Sequence, residues 1–173
     1  FKAIDHAMEL VGGPDKVRVI YPSPQGKTWN QEIAAETSQQ EKLIVICGHY
    51  KGIDERVMEK YVTHEYSLGD FVMTGGEIPA MVMLDSTVRL IPGTLNNLDS
   101  ALTDSYSQDL LDHPHYTQPR EIEGMEVPEV LLGGHHAKID TWRQAQKEKR
   151  TQKKKPDLWK KFEKLKESEK DHA

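Results

Sequence analysis

A glycine pair between polar residues is the stretch of this chain best suited to hold a ligand. It lies at 74–77 (TGGE), after the apolar run 71–73 and before an apolar segment that follows Pro79. Paired glycines permit positive φ and close approach of a ligand to the backbone, while Pro79 and Glu77 suit a first helical turn. The turn lacks the Lys and Ser or Thr of a P-loop and the spacing of a dinucleotide motif. We therefore expect a ligand without phosphates, held by backbone groups.

Two further loops occupy a similar place relative to a predicted strand. The strand at 17–21 runs into a loop with two prolines and a glycine at 22–26, and the continuous apolar run 43–47 ends at the glycine loop 48–52. Parallel α/β sheets bind ligands at the carboxyl ends of their strands. The three loops are therefore expected to converge on one pocket.

Asp104 and Arg89 are candidates for a catalytic base and an electrophilic stabiliser. Asp104 lies in a polar segment, where an aspartate also serves as a turn former or a helix cap. Arg89 ends the helix that follows the glycine turn, where a cation also favours the helix dipole. The residues alone leave both interpretations open.

Asp112, His113 and His115 resemble a metal cluster in composition. The sequence offers no second pair of ligands for them, so we predict that no metal binds there. Cys47, at the end of an apolar strand, is predicted to be a packing residue.

Strands and helices alternate through the first half of the chain, and the composition changes beyond Pro92. Strands are predicted at 17–21, 43–47 and 71–73, and helices at 1–11, 30–40, 56–61, 80–89, 139–150 and 157–170. This pattern predicts an α/β domain at 1–95, a flexible linker at 96–109 and a mainly helical domain at 110–173. Residues 1–4 have the composition of a helix interior rather than of a helix start, so we expect a further segment upstream.

The charge of the chain is unevenly distributed. The net charge is -5, yet 138–173 carries 13 basic against 7 acidic residues, and the remainder carries 10 against 21. A basic tail on an acidic body suggests a polyanionic partner, although a merely solvated helix has the same composition. One cysteine suits a reducing cytoplasm, and no apolar run approaches the roughly 20 residues of a membrane helix.

Six segments together carry a close resemblance to a known family. They are YPSPQG at 21–26, CGHYKGIDERV at 47–57, SLGDFVMTGGEIPAM at 67–81, DSTVRLIPG at 85–93, LLDHPHYTQP at 110–119 and MEVPEVLLGGHH at 125–136. In this order they resemble the bacterial TrmD family, the tRNA (guanine-N1)-methyltransferases of the SPOUT class. The resemblance covers nearly all of 17–136.

The resemblance implies a fold and an activity. The fold would be a SPOUT-type trefoil-knotted α/β domain with a parallel sheet, a rare exception to the avoidance of knots, followed by a small α-helical C-terminal domain. The activity would be transfer of a methyl group from S-adenosylmethionine to N1 of the guanosine immediately 3′ of the anticodon in tRNA. A cytoplasmic homodimer with sites at the subunit interface is implied as well.

The family's functional residues carry over position by position. The resemblance assigns Asp104 as the general base, Arg89 as the stabiliser of charge at guanine O6, and Asp54 and Tyr116 as substrate contacts. The cofactor pocket would comprise Tyr21, Pro22, Ser23, Pro24, Gln25, Gly48, Tyr50, Leu68, Gly69, Phe71, Val72, Met73, Gly75 and Gly76. The anticodon arm would be clasped by Trp142, Arg143, Lys153, Lys154, Lys155, Lys160 and Lys161.

The chain departs from the family's pattern in two places. Lys51 stands where many members carry an acid that has been associated with cofactor or Mg²⁺ contacts, so Mg²⁺ is possible but no metal ligand is assigned. The family's N-terminal strand and glycine-rich stretch have no counterpart upstream of Phe1.

Two other functions remain as alternatives. One is a non-catalytic RNA-binding module that retains a regulatory nucleoside pocket. The other is a metal-dependent hydrolase, which would use Asp54, Asp85, Asp104, His113 and His115.

Overall fold

The computed structural model describes residues 1–94, 104–106 and 109–170, with only the backbone of 169 and 170. The chain divides into two units, Phe1–Leu98 and Asp99–Ala173. Most of the predicted linker at 96–109 lies outside the described residues, so its flexibility and the domain boundaries stay predictions.

A parallel sheet of three strands organises the first unit. The strands are β1 (Val17–Thr28), β2 (Lys42–Val45) and β3 (His64–Ser67), in the order β2-β1-β3. Ile20 pairs with Val45 on one side and with His64 on the other. Because all three strands run in the same direction, their carboxyl ends lie at one edge of the sheet.

Four helices accompany the sheet, namely α1 (Lys2–Leu10), α2 (Gln31–Ser38), α3 (Glu55–Tyr61) and α4 (Glu77–Val88). The Asn30 side chain begins α2 by accepting a hydrogen bond from the Ile33 amide at 2.9 Å, which satisfies a helix-end donor. The core consists of Ile20, Ile33, Tyr66 and Met83. The indole of Trp29 also donates to Ser86 Oγ at 2.9 Å and so ties the end of β1 to α4.

The α/β class is confirmed, but two details of the predicted sheet are wrong. The third strand is His64–Ser67 rather than 71–73, which lies in a loop with exposed Phe71 and Val72 side chains. Cys47 is exposed and lies beyond the end of β2, so it is not a packing residue. The strand at 71–73 and the burial of Cys47 were both predicted from apolar runs. The true third strand, β3, has only one large apolar residue, the buried Tyr66, so its sequence contains no such signal.

The predicted loop at 22–26 is an interruption within β1 rather than its end. Pro22 and Lys27 both pair with Tyr66, so residues 23–26 bulge away from the ladder. A Cβ at Gly26 would lie 2.4 Å from the carbonyl carbon of Glu65 and from the Tyr66 amide nitrogen. Glycine is therefore required for the chain to return to β3 after the bulge.

The second unit is mainly helical in its described part. It contains a hairpin of β4 (Glu121–Ile122) and β5 (Met125–Glu126), a 3-10 helix (Glu129–Leu131), α5 (His136–Lys154) and α6 (Pro156–Lys170). Both predicted helices are present, and the first is longer than its prediction. Thr151 is fully buried on α5, and its hydroxyl accepts the Leu111 amide at 2.8 Å. Among the described residues, no helix is both long and apolar enough to cross a membrane.

Replacing Gly26 with Ala should lower the free energy of unfolding of the first unit by about 1–3 kcal/mol, because the new methyl group meets backbone atoms that cannot move cheaply. Urea denaturation followed by circular dichroism measures the change. Gly133→Ala is the control, since the nearest atom to its Cβ is 3.8 Å away. Equal stability of the two variants would contradict the close-approach argument.

Candidate functional site

A cavity of about 550 Å³ lies at the carboxyl edge of the sheet in the first unit. Its wall is built by the bulge of β1, the loop after β2 and the loop after β3, as the sequence predicted for three converging loops. The lining residues are Tyr21, Pro22, Ser23, Pro24, Gln25, Gly48, His49, Tyr50, Lys51, Gly52, Ile53, Glu55, Met58, Glu65, Tyr66, Ser67, Leu68, Phe71, Val72, Met73, Thr74, Gly75, Gly76 and Pro79.

Two glycines allow the second and third loops to pack backbone against backbone. The Gly76 amide donates to the Gly48 carbonyl at 2.9 Å, and a Cβ at Gly76 would lie 2.9 Å from Cys47 Cα. A Cβ at Gly48 would lie 2.9 Å from the ring of Tyr21. Any larger side chain at either position would push into the loop opposite, so the wall depends on the absence of Cβ atoms.

A hydrogen bond at the rim joins the same two loops to each other. His49 Nε2 lies 2.6 Å from Glu77 Oε1, and His49 also forms an isolated antiparallel bridge with Gly75. A hydrogen bond from its own backbone amide and one from His49 lower the pKa of the Glu77 carboxyl. Glu77 thus remains ionised in the first turn of α4, where a negative charge is favoured by the helix dipole.

Two groups near the loops have raised pKa values. Burial and the neighbouring Glu65 raise the pKa of the Tyr21 phenol, which lines the cavity. Partial burial and Glu77 raise the pKa of the Cys47 thiol, which lies outside the lining. Both shifts favour the neutral form, which is the less nucleophilic one.

The predicted cofactor residues all line this cavity except Gly69. Gly69 lies beside it at φ 147°, where its carbonyl accepts a hydrogen bond from Ser67 Oγ at 3.0 Å. The prediction did not include the other lining residues, which are His49, Lys51, Gly52, Ile53, Glu55, Met58, Glu65, Tyr66, Ser67, Thr74 and Pro79. Glu65 and Tyr66 belong to β3, which was predicted elsewhere, whereas the position of His49 between Gly48 and Tyr50 was a usable signal.

Asp54 and Arg89 lie outside this lining. Asp54 caps α3 and accepts hydrogen bonds from the Arg56 side chain at 2.9 and 2.6 Å. These bonds, followed by the one from the Arg56 amide, lower the pKa of Asp54 to about 2. Arg89 is the C-cap of α4, half-buried, and its amide donates to the Asp85 carbonyl at 3.3 Å.

Asp104 lines a smaller cavity of about 330 Å³ in the second unit. The other lining residues are Asp112, His113, His115, Asp140, Arg143, Gln144 and Lys147. Tyr116 lines a separate cavity of about 550 Å³ together with Arg120 and Arg143, and its ring lies 6.4 Å from that of Trp142. Cations and aromatic rings of this kind suit contacts to nucleic acid.

Comparison with known proteins assigns the chain to a family. A family model described as tRNA (Guanine-1)-methyltransferase TrmD matches residues 1–161. Three curated relatives carry the name tRNA (guanine-N(1)-)-methyltransferase. That of Listeria monocytogenes is 53% identical over 147 residues, which is 85% of this chain and 60% of the relative. That of Shouchella clausii is 56% identical over 151 residues, which is 87% of this chain and 62% of the relative. That of Staphylococcus carnosus is 54% identical over 165 residues, which is 95% of this chain and 67% of the relative.

The chain therefore spans between three-fifths and two-thirds of the length of these relatives. The family model nevertheless matches nearly the whole chain, and more than half of the aligned positions are identical in each relative. From this match and from the cavity that the predicted loops form, we conclude that the chain belongs to the TrmD family of tRNA (guanine-1)-methyltransferases.

Proposed function

We propose that this protein transfers a methyl group from S-adenosylmethionine to N1 of the guanosine immediately 3′ of the anticodon in tRNA. The observation that carries the proposal is the cavity of about 550 Å³ in the first unit, which is formed by the three loops that contain the family motifs. The names of the curated relatives support the reaction class.

The cavity meets the requirements of S-adenosylmethionine in size and in charge. Pockets for small molecules are roughly 300–1,000 Å³ in volume. The glycine wall at Gly48 and Gly76 offers backbone groups at close range. The lining contains two acidic side chains, Glu55 and Glu65, and one lysine, Lys51. Such a wall suits a cationic ligand without phosphates. When bound, this ligand supplies a methyl group on a sulfonium, which is already an activated leaving group.

The proposed cofactor residues are the fourteen that the family resemblance assigned, with Gly69 shaping the loop from outside the lining. Tyr50 is fully exposed at the rim, with φ 59°. An exposed ring held in this way is available to stack on a purine. The Tyr21 ring, buried below Gly48, supports the wall from behind.

Asp104 and Arg89 are proposed to act on the guanine base. Neutral guanine carries a proton on N1 and is a poor nucleophile there, so a carboxylate within hydrogen-bond reach must accept that proton during attack. A guanidinium directed at O6 stabilises the negative charge that develops. Because Asp104 belongs to the second unit and Arg89 to the first, the proposal requires both to reach the same base when RNA is bound. Ordering of the linker by tRNA would serve this purpose.

The helices of the second unit are proposed to bind the anticodon arm. The segment 138–173 contains 13 basic residues, most of them on α5 and α6. Lysines close to phosphates release counterions and supply affinity that is independent of sequence. Trp142 and Tyr116 would add stacking platforms. Asp54, in the first unit, is proposed to contact the target base.

A homodimer is proposed because α4 presents unusually many exposed apolar side chains. Ile78, Met81, Val82, Leu84 and Val88 are all exposed on this helix. Such a patch marks an interaction surface in a protein of this kind. The same proposal includes a trefoil knot in the α/β domain and action in the cytoplasm, where tRNA is modified. It also includes the domain limits 1–95 and 110–173.

Neither alternative function fits the site as well. The hydrolase would need Asp54 as a metal ligand or base, but its carboxylate is engaged by Arg56. A non-catalytic RNA-binding module is compatible with the cavity and with the basic helices. Such a module would bind RNA without transferring a methyl group. The following assay therefore distinguishes it from the enzyme.

The reaction is tested with labelled S-adenosylmethionine and two tRNA transcripts that carry G or A immediately 3′ of the anticodon. We expect transfer to the G transcript only. Asp104→Asn should lower the single-turnover rate by about 10²–10⁴-fold, because an amide cannot accept the N1 proton. Binding of both ligands should be unchanged.

Asp15→Asn is the matched control, since Asp15 is exposed and lies outside both cavities. A rate near that of the unchanged protein for Asp104→Asn would remove Asp104 from the mechanism. Tight binding of both ligands with no transfer by the unchanged protein would favour the RNA-binding module.

Tyr50→Ala tests the cofactor site. Loss of a stacked ring should weaken S-adenosylmethionine binding by about five- to thirtyfold, corresponding to about 1–2 kcal/mol. Stability should not change, because the side chain is fully exposed. Calorimetric titration measures the affinity, and Leu10→Ala, an exposed truncation outside the cavity, is the control. Equal affinities would place the cofactor elsewhere.

Met81→Glu tests the homodimer. Met81 is 68% exposed on α4, and a charge introduced into a buried apolar interface is costly. Sedimentation analysis should show dissociation to monomers at micromolar concentration. Leu10→Glu places the same charge on α1 at a residue that is 75% exposed and should leave the dimer intact. If the unchanged protein sediments as a monomer, the apolar face of α4 is not a self-association surface.

A further inference from the structure

Three metal-ligating side chains cluster in the second unit, and none of them is among the residues proposed to bind the cofactor. The donor atoms of Asp112, His113 and His115 all lie within 4.8 Å of one another. His115 Nε2 is 2.8 Å from Asp112 Oδ2, and His113 Nε2 is 3.8 Å from Asp112 Oδ1. We find no other such group among the described residues.

The ring of His113 is oriented by its neighbour in the chain. Its Nδ1 lies 3.0 Å from the carbonyl oxygen of Pro114. A carbonyl only accepts hydrogen bonds, so Nδ1 is the donor in this contact. The other ring nitrogen, Nε2, faces the Asp112 carboxylate. A histidine that donates one ring nitrogen to a backbone carbonyl and directs the other into the site is the usual arrangement of a metal ligand.

Asp112 is held in place by hydrogen bonds. Its carboxylate accepts one from the His113 amide at 2.7 Å, and its other oxygen lies 2.8 Å from His115 Nε2. The Asp112 amide also donates to Ser105 Oγ at 3.0 Å, which orients the residue. The side chains of Asp112 and His113 are only 20% and 16% exposed, so both donors have fixed positions.

We propose that Asp112, His113 and His115 form a binding site for a borderline divalent cation such as Zn²⁺. Two imidazole nitrogens and one carboxylate oxygen match the ligand set of open zinc sites, with the fourth position left to water. Mg²⁺ is not favoured, because it prefers oxygen ligands in an octahedron. Metal bonds of about 2.0–2.2 Å require the donors to approach more closely than 4.8 Å. The His115 side chain is 69% exposed and can rotate to close the site.

Lys147 opposes the cation and limits its affinity. Its Nζ lies 3.5 Å from Asp112 Oδ1, on the side of the carboxylate that faces His113. A bound cation would displace this ammonium or share the carboxylate with it. Binding should also weaken at acidic pH, because the histidine ligands must be neutral.

The test is a calorimetric titration of the metal-free protein, without an affinity tag, with ZnCl₂ in a buffer that does not chelate metal. We expect one Zn²⁺ per chain, and no heat from MgCl₂. His113→Gln and His115→Gln should each weaken Zn²⁺ binding by at least about tenfold. Circular dichroism verifies that each variant is folded, and the visible absorption of added Co²⁺ reports the ligand geometry independently.

His135→Gln and His136→Gln are the matched controls, because these two histidines are adjacent and exposed at the start of α5. They should leave Zn²⁺ binding unchanged. The proposal is overturned by a lack of Zn²⁺ binding, by full affinity in both His113→Gln and His115→Gln, or by loss of binding in the controls. None of these readouts depends on methyl transfer, so the metal site and the proposed function succeed or fail separately.

Discussion

The close packing of other atoms against three glycines is the constraint on which the first unit depends. Gly26 lets the bulge of β1 return to β3, Gly48 lies against the Tyr21 ring, and Gly76 lies against residues 47 and 48. Each contact leaves no room for a Cβ. The loops can therefore surround a cavity with amide and carbonyl groups, which is the surface that a phosphate-free ligand requires.

The electrostatics of this cavity follow from the same packing. The His49–Glu77 pair closes the rim between the second and third loops at 2.6 Å. Partial burial and neighbouring carboxylates raise the pKa values of Tyr21 and Cys47. These shifts make neither group a better nucleophile. A reaction in which the donor is already activated, and the enzyme has to position and deprotonate, agrees with such a site.

The second unit supplies a different chemistry. Its helices concentrate the positive charge of the chain, and the segment before them concentrates histidine, aspartate and proline. Thr151 connects helix α5 to this segment, because its buried hydroxyl accepts a hydrogen bond from the amide of Leu111, the residue immediately before Asp112. Asp104 and the Asp112 cluster consequently line one cavity with residues of α5. The residue proposed as the proton acceptor and the group proposed to bind a cation therefore lie beside the same helix.

The sequence by itself determined the α/β class, the three loops and about half of the lining of the cavity. Those features rest on local signals, namely glycine and proline punctuation and the family motifs, which need no partner to be recognised. Only the tertiary structure decided that His64–Ser67 pairs with β1, that Cys47 is exposed, that Asp54 is held by Arg56, and that Thr151 on α5 fixes the segment before Asp112. The reason is physical. Strand pairing, burial and side-chain contacts depend on how the folded backbone brings residues together, and an apolar run such as 71–73 looks the same in sequence whether it is covered or lies in a loop.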